Sequence, residues 1–415
     1  MSSDQVVSDV VVIGGGPAGS TTAALVAEAG HRVLLLERDA GNGFKVGESL
    51  MPASYSTFAR LGVLDRLQAS SFPRKHSVQF FNQAGKASAP FYFSENDPGE
   101  SAVTWQVLRS EFDAMLRVNA EEKGARVVLG ASVQEVLLEG AAAVGVRAKM
   151  PDGRVEDVPA RIVVDASGRS ALLARKLKIK KVEPELKKAS IYTHFEGGLR
   201  DPGLDEGATL ILHTNNKDSW FWYIPLPDDV VSVGVVGALD YLLQHREGSA
   251  AAIFAEEIAK CRPMQERLAT ARQRFPVKVT QDFSYRADRM AGDGWIMVGD
   301  AFGFLDPIYS SGVFLALKSG EWAADAINAG LAAGDVSGER LGTFADEYLG
   351  GMEAVRKLVY AFYTREFSFA QFLQAHPECK QGVVDILSGH LFTERARQIF
   401  EPMAAMCRLP ADSAY

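Results

Sequence analysis

Three glycines at fixed spacing restrict this chain more than any other feature of its sequence. Gly14-Gly15-Gly16-Pro17-Ala18-Gly19 follows a short β-branched run at residues 9–13 and precedes an Ala-rich helical stretch at 20–29; a second apolar run fills 32–36. Strand, glycine turn, helix and strand in this order form a βαβ unit, which commits the region to a parallel sheet. Each glycine has its own task. Gly14 permits the tight turn, Gly16 lets the backbone approach a pyrophosphate, and Gly19 lets helix and strand pack closely. The helix N-terminus then offers free amides and the positive end of its dipole to the phosphates. Glu37 ends the second strand about 20 residues on, the place for a carboxylate that accepts ribose hydroxyls. The expected dinucleotide contacts of this unit are Gly14, Gly16, Ala18, Gly19, Glu37 and Arg38.

The remaining pattern is that of a large globular α/β protein. At 415 residues, 47% hydrophobic and 23% charged, the chain has material for one large core or two smaller ones. Strands are expected at 126–129, 132–138, 143–149 and 161–165, and again at 294–298, after which the pattern reads as helical to the C-terminus. Between 190 and 238 apolar and polar residues alternate, with turn signals at Asn215-Asn216 and Pro227-Asp228-Asp229, as in an antiparallel sheet. The chain therefore threads between two units. The expected division is 1–75, 105–185 and 280–330 for the dinucleotide-binding domain, 76–104 and 186–279 for a substrate domain, and 331–415 for a C-terminal helical region.

A net charge of −8 excludes a global basic field for nucleic acid or anionic membrane. Residues 1–16 show neither a basic leader region nor a cleavage site, and their apolar run falls far short of the ~20 residues of a membrane span, so stable membrane insertion is not expected. Cys261, Cys379 and Cys407 are odd in number and widely spaced, which suits the reducing cytoplasm and gives no disulfide framework or metal site. There is no G-x-S-x-G or H-E-x-x-H, and the seven histidines have no ligand spacing, so hydrolase and metalloenzyme readings fall away.

Trp295-Ile296-Met297-Val298-Gly299-Asp300-Ala301 runs a strand into a Gly-Asp pair ahead of an apolar helix. It resembles the Gly-Asp motif of the class A flavoprotein monooxygenases and their relatives, in which the Asp accepts from a ribityl hydroxyl. Asp165-Ala166-Ser167-Gly168 resembles a second strand end of that group, and Arg109, in Leu108-Arg109-Ser110-Glu111-Phe112-Asp113, matches its FAD-contacting arginine. Together these imply FAD rather than NAD, with a Rossmann-type FAD-binding domain, an interleaved antiparallel-sheet substrate domain and a helical C-terminal tail. Taken singly, Asp300 reads more readily as a helix N-cap.

Three further stretches resemble the flavin-dependent halogenases: Lys45-Val46-Gly47-Glu48-Ser49-Leu50-Met51-Pro52, Trp220-Phe221-Trp222-Tyr223-Ile224-Pro225 and Asp306-Pro307-Ile308-Tyr309-Ser310-Ser311-Gly312-Val313. Lys75 stands where that family carries its catalytic lysine. The resemblance implies that reduced FAD, oxygen and chloride or bromide generate hypohalous acid for an electron-rich aromatic ring. Glu48, Ser49, Asp165, Gly168, Gly299 and Asp300 would join Arg109 at the flavin, and the backbone of Ser311 and Gly312 would hold the halide. Trp220 and Trp222 would wall the flavin off from the organic substrate, and Lys75 would capture or orient the oxidant. Without the family, the tryptophans read as sheet packing and Lys75 as a solvated cation between Arg74 and His76.

Tyr309 replaces the glutamate of the tryptophan-halogenating members, which shifts the expected substrate to a phenol or pyrrole, free or tethered to a carrier protein. A single dinucleotide fingerprint implies a separate flavin reductase. The rivals are an FAD-dependent monooxygenase or a geranylgeranyl-reductase-like oxidoreductase, neither of which needs Lys75, and a non-catalytic flavin-binding homologue. An aromatic-rich amphipathic stretch from Val355 to Leu373 could line a tunnel or dock a carrier, though packing on the body is the commoner outcome.

Overall fold

The computed structural model describes residues 8–39, 43–95 and 97–412; residues 1–7, read above for a leader, lie outside them. Val10, Val11 and Val12 are wholly buried in the strand Ser8–Ile13, as a β-branched run covered on both faces requires. This strand is central in a parallel sheet. Val33–Glu37 and then Arg126–Leu129 lie on one side, Val155–Asp165 and then Trp295–Met297 on the other, with Ala291–Gly292 antiparallel at the edge. Ile13 pairs with both Leu36 and Asp165, and Asp165 pairs with Met297. The carboxyl ends of four strands are thus level, and the loops leaving them, at Gly14, Ala166 and Val298 among others, open on one crevice.

Two of these element boundaries differ from the sequence reading by more than a residue. The first helix, Pro17–Glu28, starts three residues before the expected stretch, because proline's fixed φ and missing N–H suit the first helical position. The strand expected at 161–165 extends back to Val155 and changes partner on the way. It pairs antiparallel with Ala142–Lys149 as far as Pro159, then parallel with Ser8–Ile13 from Ala160. Pro159 reads as a strand breaker, yet it stands at the hand-over, where its missing donor costs least.

The second sheet has the order Arg272–Gln273, Lys188–Glu196, Val230–Ala238, Ser219–Pro225, Thr209–His213, Ser77–Phe81, Phe91–Tyr92, with Lys278–Gln281 also pairing with Lys188–Glu196. It is antiparallel except where Thr209–His213 meets Ser77–Phe81 in parallel, a long-range join that local alternation does not signal. Lys278–Gln281 crosses the domain limit expected at 280. The strand period of two sends Trp220, Trp222 and Ile224 into the core shared with the C-terminal helices; Phe221 and Tyr223 face the opposite core, with Ile253, Phe254 and Met264.

After Trp295–Met297 the chain is not yet helical: a turn at Gly299–Ala301 and a two-residue strand, Gly303–Phe304, precede the long helix Ser311–Ala333. That helix lies against Pro17–Glu28, with Thr22 donating to Gly320 O at 3.1 Å. Val355, Leu358, Val359, Phe362, Phe367 and Phe372 are all buried, so the aromatic tail packs on the body. Among the described residues no helix is long and apolar enough to cross a membrane.

Gly234 lies directly across from Trp222 on the neighbouring strand, and a Cβ there would sit 2.2 Å from the indole. Gly234→Ala should therefore cost about 1–3 kcal/mol of stability. Trp222→Ala in the same chain should recover much of that loss in a double-mutant cycle read by denaturant unfolding. Additive losses would show that the indole does not depend on the missing side chain.

Candidate functional site

At the level strand ends lies a cavity of about 530 Å³. Gly14, Gly16 and Ala18 from the glycine turn border it, as do Glu37, Arg38, Glu48, Ser49, Arg109, Gly168, Gly299 and Asp300. Trp222 and Gly312 close its far side. Gly14 has φ +102°, and a Cβ on it would meet Ala166 O at 2.5 Å, so this turn requires glycine. A Cβ on Gly16 would meet nothing within 4 Å, which leaves open space at the backbone.

The helix Pro17–Glu28 begins without a side-chain cap, so its first amides face the cavity end unpaired by the protein. Glu37 accepts from Gly15 N at 2.5 Å and from Asp39 N at 2.7 Å, tying the second strand end to the glycine turn. Glu48 is buried beside the cavity, with Oε1 on His194 Nε2 at 2.7 Å and Oε2 without a partner. The Arg109 guanidinium is held by Asp113 through two bonds of 2.9 and 3.1 Å and by Val46 O at 2.6 Å. Burial opposes its charge, but Asp113, Asp300 and Glu48 together outweigh burial and raise it above its ordinary value. Burial pushes the Asp300 carboxyl up to about 6, with Arg109 and Arg169 pulling it down. Open backbone at Gly16, an uncapped helix start, and the unpaired Glu48 oxygen match a ligand bearing a diphosphate and hydroxyl groups. The cavity therefore fits FAD.

Five expected site residues do not line this cavity. Gly19 serves packing alone: a Cβ there would lie 2.0 Å from Gly14 O. Asp165 is wholly buried and uses its carboxylate on Ser167 N at 3.0 Å and Leu173 N at 2.7 Å, so it shapes the turn behind the cavity. Trp220 points into the tail, donating to Tyr363 OH at 3.1 Å, which in turn donates to Asp306 Oδ2 at 2.9 Å. Ser311 is buried in the first turn of its helix, while Ser310 and Gly312 on either side reach the cavity.

Lys75 lies one layer deeper. It is 1% exposed, and its Nζ donates to Ser49 Oγ and Leu50 O, both at 2.9 Å, with the Phe93 ring 5.4 Å away. No ion pair holds it among the described residues, and burial brings its pKa down to about 7. Its immediate partners are therefore Ser49, Leu50 and Phe93. The helix Ser311–Ala333 also begins without a side-chain cap, after Ser310 in the left-handed region at φ +57°.

Sequence reasoning missed Ser310, Thr209, Gln106 and His194. A non-glycine left-handed residue has no sequence mark; Thr209 and His194 come from distant strands of the second sheet, and Gln106 meets the loop at 48–50 through an isolated bridge to Ser49.

The FAD binding domain family model matches residues 7–347. The chain is 28% identical over 419 aligned residues to a 1H-pyrrole-2-carbonyl-[peptidyl-carrier protein] chlorinase of Pseudomonas fluorescens, covering 95% of this chain and 92% of that one. It is 33% identical to the corresponding brominase of Pseudoalteromonas luteoviolacea, covering 92% of each. A solved structure of a triple mutant of the flavin-dependent brominase Bmp2 superimposes with a TM-score of 0.86 at 31% identity, over 96% of this chain and 98% of that chain.

Gly16 and Gly19 separate binding from folding. Gly16→Val has room for its side chain and should leave the unfolding midpoint near wild type while FAD affinity, read by titration, collapses. Gly19→Val, forced against Gly14 O, should lose stability first. Unchanged FAD titration in Gly16→Val would remove the turn from the binding site.

Proposed function

Because the chain belongs to the FAD-binding-domain family and, within it, to the flavin-dependent halogenases, we propose that it halogenates a pyrrole-type ring tethered to a carrier protein. The substrate class rests on likeness, along nearly the whole chain, to two halogenases whose names specify that substrate, and on Tyr309 in the turn. A separate flavin reductase supplies the reduced cofactor. We place the reaction in the cytoplasm, in keeping with three unpaired, buried cysteines.

Gly14, Gly16, Ala18, Glu37 and Arg38 would hold the dinucleotide portion of FAD, and Glu48, Arg109, Gly168, Gly299 and Asp300 its flavin side. The chemistry that reduced FAD supplies when bound is the oxidation of halide by oxygen to hypohalous acid. The amides of Ser311 and Gly312 hold the halide, and Trp222, at the cavity wall, keeps the ring away from the flavin. Lys75 carries this reading: a buried amine, free of any carboxylate partner among the described residues, one hydroxyl behind the cavity wall. Its neutral nitrogen attacks the halogen, forming an N–halogen bond and breaking the halogen–oxygen bond. The departing hydroxide takes the proton that nitrogen sheds and leaves as water. The ring then takes the halogen and gives a proton back to nitrogen, so the amine is regenerated. An unperturbed lysine near 10.4 would be almost wholly protonated at neutral pH; burial brings this one down to about 7 and so raises the share of neutral amine.

Lys75→Ala should still consume reduced flavin and oxygen while product falls about 10²-fold or more. In the wild type, product per flavin oxidised should rise with pH through about 7 and level off above it, because the neutral form attacks. Wild-type product from Lys75→Ala, followed by mass spectrometry, would return the chain to the monooxygenase or reductase reading; a ratio that falls with pH would exclude the neutral amine.

Ser311→Ala keeps its amide and should leave the halide KM little changed. Gly312→Val places a side chain 3.0 Å from the Phe304 ring edge, on the cavity wall, and should raise that KM about tenfold or more. Equal losses from both at unchanged halide KM would mean that the Ser311 hydroxyl takes part in the chemistry.

A further inference from the structure

We propose that Ser49 is a positioning residue for Lys75 and not a cofactor contact: with Thr209, it fixes the amine and presents one spare hydroxyl hydrogen to the cavity. The inference rests on the reading of Lys75 given above.

It follows from a count of hydrogens. A neutral amine has two N–H bonds, and Lys75 Nζ has two acceptors, Ser49 Oγ and Leu50 O. The lone pair is left unengaged. Ser49 Oγ lies 2.7 Å from Thr209 Oγ1. Beyond Thr209, Gln106 Nε2 donates to Gly207 O and to Thr209 Oγ1, both at 2.8 Å. Gly207 O can only accept, which fixes the orientation of the Gln106 amide and commits both of its hydrogens. Each hydroxyl oxygen therefore already accepts one hydrogen from its outer neighbour, Lys75 or Gln106. The two hydroxyls bring two hydrogens of their own, and only one fits between them. Whichever way that bond runs, one O–H is left over.

Both residues border the large cavity, and Lys75 does not. Thr209 also borders a water-sized void shared with Ile308, Tyr309 and Ser310, so the pair stands between the cavity and the turn before the long helix. An oxidant reaching Lys75 from the cavity meets these hydroxyls first. The spare O–H donates to the oxygen of hypohalous acid and turns its halogen toward the amine. As the halogen–oxygen bond breaks, that O–H protonates the leaving hydroxide, and the proton shed by Nζ replaces it through Ser49. No other reagent is needed to balance the transfer.

The test compares Ser49→Ala, Ser49→Thr and Thr209→Val with Lys75→Met, all in full-length FAD-loaded protein with a flavin reductase, bromide and a pyrrole substrate. FAD affinity, flavin reoxidation, substrate KM and product per flavin oxidised are read for each. Ser49→Ala should lower product per flavin oxidised about tenfold, the loss of one hydrogen bond to a reacting group. FAD affinity, reoxidation and substrate KM should stay near wild type. Ser49→Thr, which keeps the hydroxyl, should recover most of the ratio. Thr209→Val, nearly isosteric and set within a strand, should fall in the same direction and guards against misfolding at the loop. Lost FAD affinity in Ser49→Ala with normal product per bound flavin overturns the proposal and makes Ser49 a cofactor residue. A collapsed ratio in Lys75→Met beside a wild-type ratio in Ser49→Ala overturns this proposal alone; a wild-type ratio in Lys75→Met overturns it together with the role of Lys75.

Discussion

Backbone contact at the glycine turn sets the distance on which the site depends. Position 19 faces Gly14 O and position 14 faces Ala166 O, each so closely that a Cβ would overlap a carbonyl. Carbonyls in a paired sheet and a helix cannot yield as a flexible side chain can, so helix Pro17–Glu28 is held against the strand ends in one orientation. Its uncapped N-terminus then points along the crevice. Glu37, bound to Gly15 N, locks the neighbouring strand end to the same turn. On the other side, Thr22 reaches the carbonyl of Gly320, so the long helix with the second uncapped start is positioned from the same contact.

Burial of Lys75 shows how a two-residue strand outside both large sheets contributes chemistry. An ammonium withdrawn from water without a counter-charge is strongly disfavoured, and the protein answers by releasing the proton more readily. Two neutral acceptors satisfy the amine and do not restore its charge, as a carboxylate would. The short pairing of Arg74–Lys75 with Thr104–Trp105 carries the residue inward, and the loop at 48–50 closes over it.

Much of the fold was legible because its signals are local. The βαβ unit, the strands at 126–149 and the alternating run at 190–238 each declare themselves within a dozen or so residues, and the glycine spacing located the cavity. What escaped reading was long-range or conformational. Pro159 marks a change of partner that depends on a strand 150 residues earlier in the chain. Asp165 and Trp220 were assigned to the cavity from their motifs, but a motif does not say which way a side chain turns; one caps a turn and the other bonds Tyr363. Thr209 and Gln106 have no motif at all. Thr209 stands beside Ser49 where Thr209–His213 pairs in parallel with Ser77–Phe81, and Gln106 through an isolated bridge to Ser49 itself.

The order in which the strands enter the two sheets bears on how such a protein can be recombined. Parallel-sheet strands lie at 8–37, 126–165 and 291–297, and second-sheet strands at 77–92 and 188–281. No single crossover can exchange one sheet and spare the other, and a junction anywhere between the first and last parallel strands divides the cofactor crevice itself between parents. The helical stretch from Ala345 onward is different. It supplies Leu358, Phe362 and Tyr363 to the contacts around Tyr309 and Trp220, yet it is continuous in sequence. A hybrid joined just before Ala345 would receive a foreign wall on an intact redox centre, which makes that junction the natural seam of the molecule.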